Sequence, residues 1–482
     1  MVGMLSSEVR EAQERVRSAL KNIGQSLPLG RITINISPAD KRKEGTGFDL
    51  PVAVALLCSM GVMSADFFKD SIVIGELSLD GRIQPLHGIL PIVNHAKNLG
   101  IKKVIIPYDN MDEAFLCEGI EVLPFASLSD LLCFDIDKQY RIKYREMIKE
   151  FQRLSLQEEE CDNVGEKCKD FADIVGQENV KRALVIAVSG NHDLLMVGNP
   201  GVGKSMLASR VPDIMPDMTF EEKMEVTGIA SITGQLDRHI LVRKRPFLAP
   251  HHTVTTAALI GGGMNVTAGI ITMAHRGLIF MDELPEFRNS VIDALRQPLE
   301  NKQIHIHRQQ GDYTFPADFL LIGAMNPCPC GYYPDRNKCN CSITEVRKYI
   351  SHISGPILDR IDLSVKVSRV DLGDIQNPFG ENLSTKDMKA MVDRGIHMQK
   401  VRQGTRRNAD LDAREIKEFC KLDEVCNDFL NSAYEKFQMS MRGYHKILKI
   451  ARTIADIDER EKIEVGDLAQ AIGYRMDVRE NR

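Results

Sequence analysis

The stretch Leu194-Leu-Met-Val-Gly-Asn-Pro-Gly-Val-Gly-Lys-Ser-Met-Leu-Ala-Ser-Arg210 decides the fold of this chain. Its leading apolar residues predict a buried strand, and the residues after Lys204 predict a helix. Between them, Gly198 to Ser205 fits the pattern G-x-x-x-x-G-K-S/T of a phosphate-binding loop, in which glycines let backbone N–H groups face phosphate oxygens. Lys204 adds positive charge, and Ser205 offers a hydroxyl to Mg²⁺. The residues assigned to the nucleotide are Gly198, Asn199, Pro200, Gly201, Val202, Gly203, Lys204, Ser205 and Met206.

Polar side chains follow two further predicted strands. Leu278–Met281 is apolar and leads into Asp282 and Glu283, an arrangement that is costly inside a sheet but natural at its carboxyl edge, where ligands bind. We expect Asp282 to hold Mg²⁺ through water and Glu283 to polarise the attacking water. Asn326 follows the strand Phe319–Met325 and orients that water in this interpretation; the alternative is an Asn that caps a turn.

Composition limits the partners that the chain can have. It has 482 residues, and 62 Lys and Arg against 67 Asp and Glu give a net charge of −5. A nucleic-acid contact would therefore be a local patch. The longest apolar run, Leu50–Met63, has 14 residues with a Pro and a Gly, too few to span a bilayer. We expect a cytoplasmic protein with no membrane partner and with reduced cysteines.

The pattern along the chain changes three times. Residues 1–137 read as a mixed α/β domain, which includes a predicted strand at Arg31–Ile36. Residues 138–170 read as a charged linker with some helix, because 16 of these 33 residues are Asp, Glu, Lys or Arg. Strands and helices alternate over residues 171–370, which predicts a parallel sheet, and residues 371–482 read as helices only.

Long stretches of the chain resemble the AAA+ ATPases, and specifically the magnesium-chelatase-like ComM/YifB family. The resemblance runs from about residue 8 to about residue 475. It implies ATP and Mg²⁺ as cofactors, a Lon-protease-like α+β domain, a P-loop AAA+ core with a parallel sheet, and a C-terminal all-α lid. The stretches that carry it are Ala249-Pro-His-His-Thr253, Ala258-Leu-Ile-Gly-Gly-Gly263, Leu278-Ile-Phe-Met-Asp-Glu-Leu-Pro-Glu-Phe287, Ala294-Leu-Arg-Gln-Pro-Leu-Glu300 and Ser354-Gly-Pro-Ile-Leu-Asp-Arg-Ile-Asp362.

The resemblance gives two arginines a role. Arg360 matches the arginine finger, which acts on ATP bound to the neighbouring subunit, and Arg442 matches the sensor-2 arginine of the helical lid. The alternative for Arg360 is an ion pair with Asp359 and Asp362. The alternative for Arg442 is a solvated residue at the start of a helix.

The N-terminal residues 1–137 resemble the Lon-protease fold in Gly75–Arg82 and Lys97–Pro107. The Lon peptidase uses a Ser–Lys dyad, and in this chain Gly47 and Leu90 stand at the corresponding positions. The resemblance therefore implies a non-proteolytic domain, since neither nucleophile nor base is present. Family members also begin earlier, with additional strands, which implies either that the N-terminal fold is incomplete here or that the start site is misassigned.

Four cysteines follow Asn326 closely. Cys328, Cys330, Cys339 and Cys341 form two C-x-C pairs separated by eight residues. Four soft ligands in one loop suit a structural Zn²⁺, although C-x-C is tighter than the usual C-x-x-C spacing. The alternative is a reduced, cysteine-rich loop.

Three other patterns are open to more than one interpretation. His305 and His307 alternate in a predicted hairpin, which would line the central pore of a ring or form an ordinary sheet edge. The paired His251 and His252 favour local hydrogen bonding over metal binding, because no third ligand stands at metal spacing. The basic cluster could contact phosphates or be solvated; its members are Lys400, Arg402, Arg406 and Arg407.

These patterns, with the resemblance, predict an ATP-hydrolysing ring motor. The resemblance implies a homo-hexamer that acts on DNA, in branch migration or helicase-type remodelling during recombination and natural transformation. The alternatives are the motor subunit of a metal chelatase, or a protein-remodelling ATPase. The Lon-like domain argues against a porphyrin partner, because chelatase motors match only the ATPase part and the lid.

Overall fold

The computed structural model describes residues 7–37, 43, 45–161, 170–236, 241–263, 266–308, 311–370 and 382–476. These residues form two compact units. The first comprises Met1–Glu166, Phe220–Arg243 and His307–Asp312, and the second comprises Lys167–Thr219, Lys244–Ile306 and Tyr313–Arg482. Within the described ranges, no helix has both the length and the apolar character that crossing a membrane requires.

The elements are numbered along the chain. The strands are β1 Ser71–Val73, β2 Glu76–Leu77, β3 Ile83–Gln84, β4 Lys103–Pro107, β5 Glu121–Phe125, β6 Leu194–Gly198, β7 Phe247–Leu248, β8 Gly261–Gly262, β9 Thr267–Ala268, β10 Leu278–Met281, β11 Gln303–Arg308, β12 Gly311–Pro316, β13 Leu320–Met325 and β14 Leu363–Val367. The helices are α1 Ser7–Asn22, α2 Asp49–Ser59, α3 Ile89–Asn98, α4 Met111–Phe115, α5 Leu128–Ile136, α6 Lys138–Cys161, α7 Glu178–Gly190, α8 Lys204–Ile214, α9 Phe220–Thr233, α10 Thr256–Ile260, α11 Ile270–Met273, α12 Asn289–Ala294, α13 Arg296–Asn301, α14 Ile343–Ser351, α15 Gly355–Leu358, α16 Thr385–Gln403, α17 Ala413–Phe419, α18 Glu424–Lys436, α19 Met441–Ile457 and α20 Val465–Met476.

A parallel sheet organises the second unit, as the alternation of strands and helices predicts. Its strand order is β14-β6-β13-β10-β7, and every neighbouring pair is parallel. All four residues of β10 and all six of β13 are buried, which explains why both strands read as continuous apolar runs. The carboxyl ends of these strands meet at one edge, and the phosphate loop leaves β6 there.

A glycine is required where β6 meets β14. A Cβ atom at Gly198 would lie 2.4 Å from the carbonyl oxygen of Val367, closer than any side chain allows. The glycine that opens the phosphate-loop pattern therefore also lets two strands approach each other closely.

The predicted C-terminal helices pack on the same apolar core as this sheet. On α19, Ile447 and Ile454 lie in one buried cluster with Leu194 and Leu363. Arg452 on the same helix is fully enclosed because it forms an ion pair with Asp456. The domain boundary placed at residue 370 stays a prediction.

The first unit contains a three-stranded parallel sheet in the order β1-β4-β5. The predicted strand Arg31–Ile36 is wrong: this segment has a single bridge residue, Asn35, and its side chains are exposed or half-buried, so its alternation has no sheet to face. Residues 138–161 of the predicted linker form α6, and residues 162–169 lie outside the described residues. Gly47, at the position of the Lon serine, faces Ile74 and Leu86.

Two partly buried carboxylates lie together at the amino end of the sheet. Asp193 precedes β6 and accepts a hydrogen bond from the Leu321 amide at 3.0 Å, while Asp362 precedes β14 and pairs with Lys446 at 2.6 Å. Burial and the charge of Asp362 raise the pKa of Asp193 to about 8. Burial alone would raise the pKa of Asp362 too, but Lys446 and His192 lower it below its usual range. The pair therefore carries one negative charge near neutral pH.

The raised pKa of Asp193 predicts how the stability of the protein depends on pH. Because the pKa of Asp193 is raised in the folded protein, stability is lost as pH rises from the ordinary value near 3.8 through about 8. Asp193→Asn removes this loss, and its amide oxygen can still accept from Leu321. We expect the melting temperature of the variant to exceed that of the parent increasingly between pH 5.5 and pH 8.5. Exposed Asp428→Asn is the control, and a pH-independent difference for Asp193→Asn would contradict the assignment.

Candidate functional site

The phosphate loop connects β6 to α8, as its sequence context predicts. Gly201 and Gly203 have φ angles of +77° and +90°, and the space into which a Cβ would project is open at both residues. These conformations favour glycine and turn successive backbone N–H groups toward one concave surface. Lys204 is the first residue of α8, so the loop ends at the positive end of a helix dipole.

The side chain of Lys204 crosses this loop and reaches the end of β13. Its ammonium donates to the carbonyl oxygens of Gly198 and Asn199 and to Oδ1 of Asn326, at 2.9 Å from the last. Burial lowers the pKa of Lys204, while Asp282 and Glu283 oppose this effect. Asn326 is therefore in contact with the lysine of the predicted phosphate loop.

The predicted magnesium ligands lie together. The Ser205 hydroxyl donates to Oδ2 of Asp282 at 2.7 Å, and the Glu283 amide donates to Oδ1 of the same carboxylate at 3.0 Å. The strand order explains this meeting, because β10 and β6 both flank β13 and end at the same edge. A hydroxyl and a carboxylate side by side are the hard oxygen donors that Mg²⁺ prefers, so these residues fit the ion that the resemblance implies.

A residue that the sequence reasoning missed lies beside the expected catalytic carboxylate. Nδ1 of His252 is 3.7 Å from Oε2 of Glu283, and its ring is edge-on to Phe287. His251, by contrast, makes the expected local hydrogen bond, to the Thr253 hydroxyl at 2.9 Å. The signal that could have found it is position, because both histidines follow β7, which pairs in parallel with Leu278 and Ile279 of β10.

The two arginines implied by the resemblance share one carboxylate. Arg360 and Arg442 both donate to Oε1 of Glu300, at 2.5 and 3.1 Å. The Arg360 side chain is 13% exposed and that of Arg442 is 50% exposed. A cavity of about 390 Å³ lies beside them. Arg360 thus pairs with Glu300, whereas the carboxylate of Asp362 pairs with Lys446 and His192.

The strand register places these arginines far from the phosphate loop of their own chain. Arg360 precedes β14, which runs parallel to β6 with Leu363 opposite Leu194 and Val367 opposite Gly198. Five residues at about 3.3 Å each separate the amino ends of these strands from the loop by about 17 Å. Arg360 therefore lies at the opposite edge of the sheet, and Arg442 lies there with it.

The four cysteines converge. All four sulfur atoms lie within 4.8 Å of one another, and the separations among Cys328, Cys330 and Cys339 are 3.3, 3.5 and 3.8 Å. A disulfide needs about 2.0 Å, so these residues are thiols. A hydrogen bond from the Tyr332 backbone lowers the pKa of Cys330 to about 6, because it stabilises the thiolate.

The predicted histidine hairpin is present as β11 and β12. His305 contacts the Thr314 hydroxyl at 3.0 Å and His307 contacts Asp312 at 2.7 Å, so each histidine pairs across the hairpin. Its turn at residues 309–310 lies outside the described residues.

Two members of the basic cluster, Arg402 and Arg406, form ion pairs within the C-terminal helices. Arg402 makes a two-pronged ion pair with buried Asp456, and Arg406 pairs with Glu415. These two guanidinium groups therefore contribute to packing of the C-terminal helices.

Three family models match the chain. The model described as "Magnesium chelatase, subunit ChlI" matches residues 170–375. The model "Subunit ChlI of Mg-chelatase" matches residues 1–110, and "Magnesium chelatase, subunit ChlI C-terminal" matches residues 382–475.

Similar proteins extend along almost the full chain. Competence protein ComM of Haemophilus influenzae is 38% identical over 480 residues, which cover 99% of this chain and 92% of ComM. Uncharacterized protein YifB of Escherichia coli strain K12 is 37% identical over 477 residues, covering 98% of this chain and 91% of YifB. Lon protease 2 of Bacillus subtilis is 28% identical over 270 residues, covering 49% of this chain and 47% of that protease.

Proposed function

Because the chain belongs to the ComM/YifB family of magnesium-chelatase-like AAA+ proteins, we propose that it is an ATP-hydrolysing ring motor that acts on DNA. One observation supports the assembly of subunits into a ring. The phosphate site and the paired arginines lie at opposite edges of the same sheet. Subunits stacked side by side in a closed ring would bring the arginines of one copy to the phosphate loop of the next.

Each residue of the phosphate site has a role in this proposal. Lys204 holds the β- and γ-phosphates, and Asn326 positions both the lysine and the attacking water. Ser205 and Asp282 would hold Mg²⁺, which offsets charge on the phosphates. Glu283 accepts a proton from the water, and His252 orients its carboxylate.

In the same proposal, Glu300 positions the two arginines. It holds both guanidinium groups on one face of the subunit, so that Arg360 and Arg442 enter the neighbouring site together. Positive charge from the neighbour offsets charge on the transferring phosphoryl group, and hydrolysis then depends on assembly. A homo-hexamer in the cytoplasm is the form that we propose.

The DNA substrate is supported by likeness alone. The relative with 38% identity is named a competence protein, and the chain covers 92% of it. Branch migration or helicase-type remodelling during recombination is the activity that this likeness favours. The β11–β12 hairpin, with His307 and Arg308 exposed near its tip, is our candidate for the DNA contact.

Stimulation of ATP turnover tests the substrate. We expect single-stranded or branched DNA to raise the ATPase rate several-fold, and added salt to reduce this stimulation, since phosphate contacts release counterions. Lys204→Ala is the control and should show no turnover with or without DNA. Stimulation by porphyrin-binding chelatase subunits or by unfolded protein, with no response to DNA, would overturn the DNA proposal in favour of those two alternatives.

A further inference from the structure

We propose that Cys328, Cys330, Cys339 and Cys341 bind one Zn²⁺, and that this metal holds residues 327–341 against the phosphate loop so that metal occupancy sets the affinity for ATP. We call residues 327–341 the cysteine loop. The coupling rests on the proposed ATP site, whereas the metal content of the protein does not.

The sulfur atoms have the geometry of a tetrahedral site. Zinc–sulfur bonds of about 2.3 Å in a tetrahedron place the sulfur atoms about 3.8 Å apart. The separations of 3.3 to 3.8 Å among three of the sulfur atoms are close to this value, and the fourth lies within 4.8 Å of all of them. Thiolates alone would repel one another at such distances, so a divalent cation at their centre explains the arrangement.

Backbone groups support the ligands. The amides of Gly331 and Tyr333 donate to Sγ of Cys328 at 3.2 and 3.4 Å. Such bonds orient a metal-bound thiolate and spread its negative charge. Two of the four sulfur ligands, Cys328 and Cys339, are buried in the apolar core that also contains Val346, so the cluster is sheltered from competing water.

The metal would supply order that the cysteine loop otherwise lacks. No helix or strand lies within residues 327–341, all of which the structure describes. Ordering these residues costs backbone entropy, and one metal with four ligands offsets much of this cost. Immediately after Cys341, Ser342 caps α14 by accepting from the Glu345 amide, so the loop is anchored at its far end too.

The cysteine loop touches the phosphate loop directly. A Cβ atom at Gly331 would lie 2.4 Å from Cδ of Pro200, so the backbone of Gly331 packs against that ring with no space between them. Gly331 also has a φ of +85°, which favours glycine. Asn326, two residues before Cys328, accepts from Lys204. Disordering the cysteine loop would therefore release Pro200 and shift the partner of Lys204.

Metal analysis is the first test. Full-length protein purified with reductant and without chelator should contain one zinc per chain, and Cys339→Ser should contain little or none. The exposed thiol of Cys133 provides the matched control, so Cys133→Ser should keep the zinc. Parent protein with no metal and four titratable thiols in the loop would overturn the proposal, as would full zinc content in Cys339→Ser.

A spectroscopic test covers the case in which Cys339→Ser fails to fold. Exchange of Co²⁺ into the parent protein should give the strong visible absorption of a tetrahedral four-thiolate site. Absence of these bands, with Co²⁺ bound elsewhere or not at all, would overturn the assignment.

The coupling between zinc occupancy and ATP affinity is tested with all four cysteines unchanged. Gly331→Ala should keep one zinc per chain but weaken binding of a fluorescent ATP analogue at least five-fold, because the new methyl group displaces Pro200. Zinc-stripped parent protein should show a similar loss, restored by adding Zn²⁺. Unchanged affinity in the zinc-stripped protein would overturn the coupling. A parent protein that contains zinc yet binds no ATP would instead contradict the proposed function.

Discussion

Glu283→Gln should bind ATP as tightly as the parent protein and hydrolyse it about 10²–10⁴-fold more slowly, since proton transfer to a positioned base contributes a factor of this order. The amide keeps the size of the side chain but cannot accept the proton of the attacking water. Binding should persist because Lys204, Ser205 and Asp282 are unchanged. Single-turnover hydrolysis, together with equilibrium binding of labelled ATP, measures the two quantities separately.

Two further variants serve as controls for Glu283→Gln. Glu286→Gln removes an exposed carboxylate one turn further along the chain and should leave turnover unchanged. Lys204→Ala should lose nucleotide binding itself, because the carbonyl oxygens and the amide that it contacts cannot replace a positive charge. Turnover at the parent rate by Glu283→Gln would remove Glu283 as the base.

Arg360→Ala should bind ATP nearly normally and hydrolyse it about 10³–10⁵-fold more slowly, the range observed for arginines supplied to a phosphoryl transfer. The reason is the position of Arg360 before β14, at the amino edge of the sheet, whereas the phosphate loop of its own chain lies at the carboxyl edge. Steady-state turnover of assembled rings measures the loss. Exposed Arg394→Ala, on α16, is the matched control and should retain activity.

Mixing variants separates action between subunits from action within one. Arg360→Ala and Lys204→Ala subunits should partly restore turnover when combined, because some interfaces then have an intact phosphate loop facing an intact arginine. Each variant alone lacks one half of every site. Mixed rings that form but stay as inactive as either variant would contradict the assignment, and Arg360 would then be a structural partner of Glu300.

Much of the phosphate site follows from the sequence because its parts are local or lie at strand ends. Lys204 and Ser205 are set by one strand–loop–helix segment. Asn326 contacts Lys204 across 122 residues, yet its place was predictable, since parallel strands end at a common edge. The prediction of a strand at Arg31–Ile36 was wrong because alternation of apolar and polar residues does not form a strand without a neighbouring strand to pair with.

The sequence by itself determined which residues can carry the chemistry: a loop that must be glycine-rich, two carboxylates after an apolar strand, and cysteines spaced for a metal. Only the tertiary structure decided which distant groups meet. His252 lies beside Glu283, Glu300 gathers two arginines that are 60 and 142 residues away from it, and Gly331 packs on Pro200. The physical reason is that side-chain spacing follows from backbone geometry over one element, whereas contacts between elements depend on how sheet and helices bury their shared core.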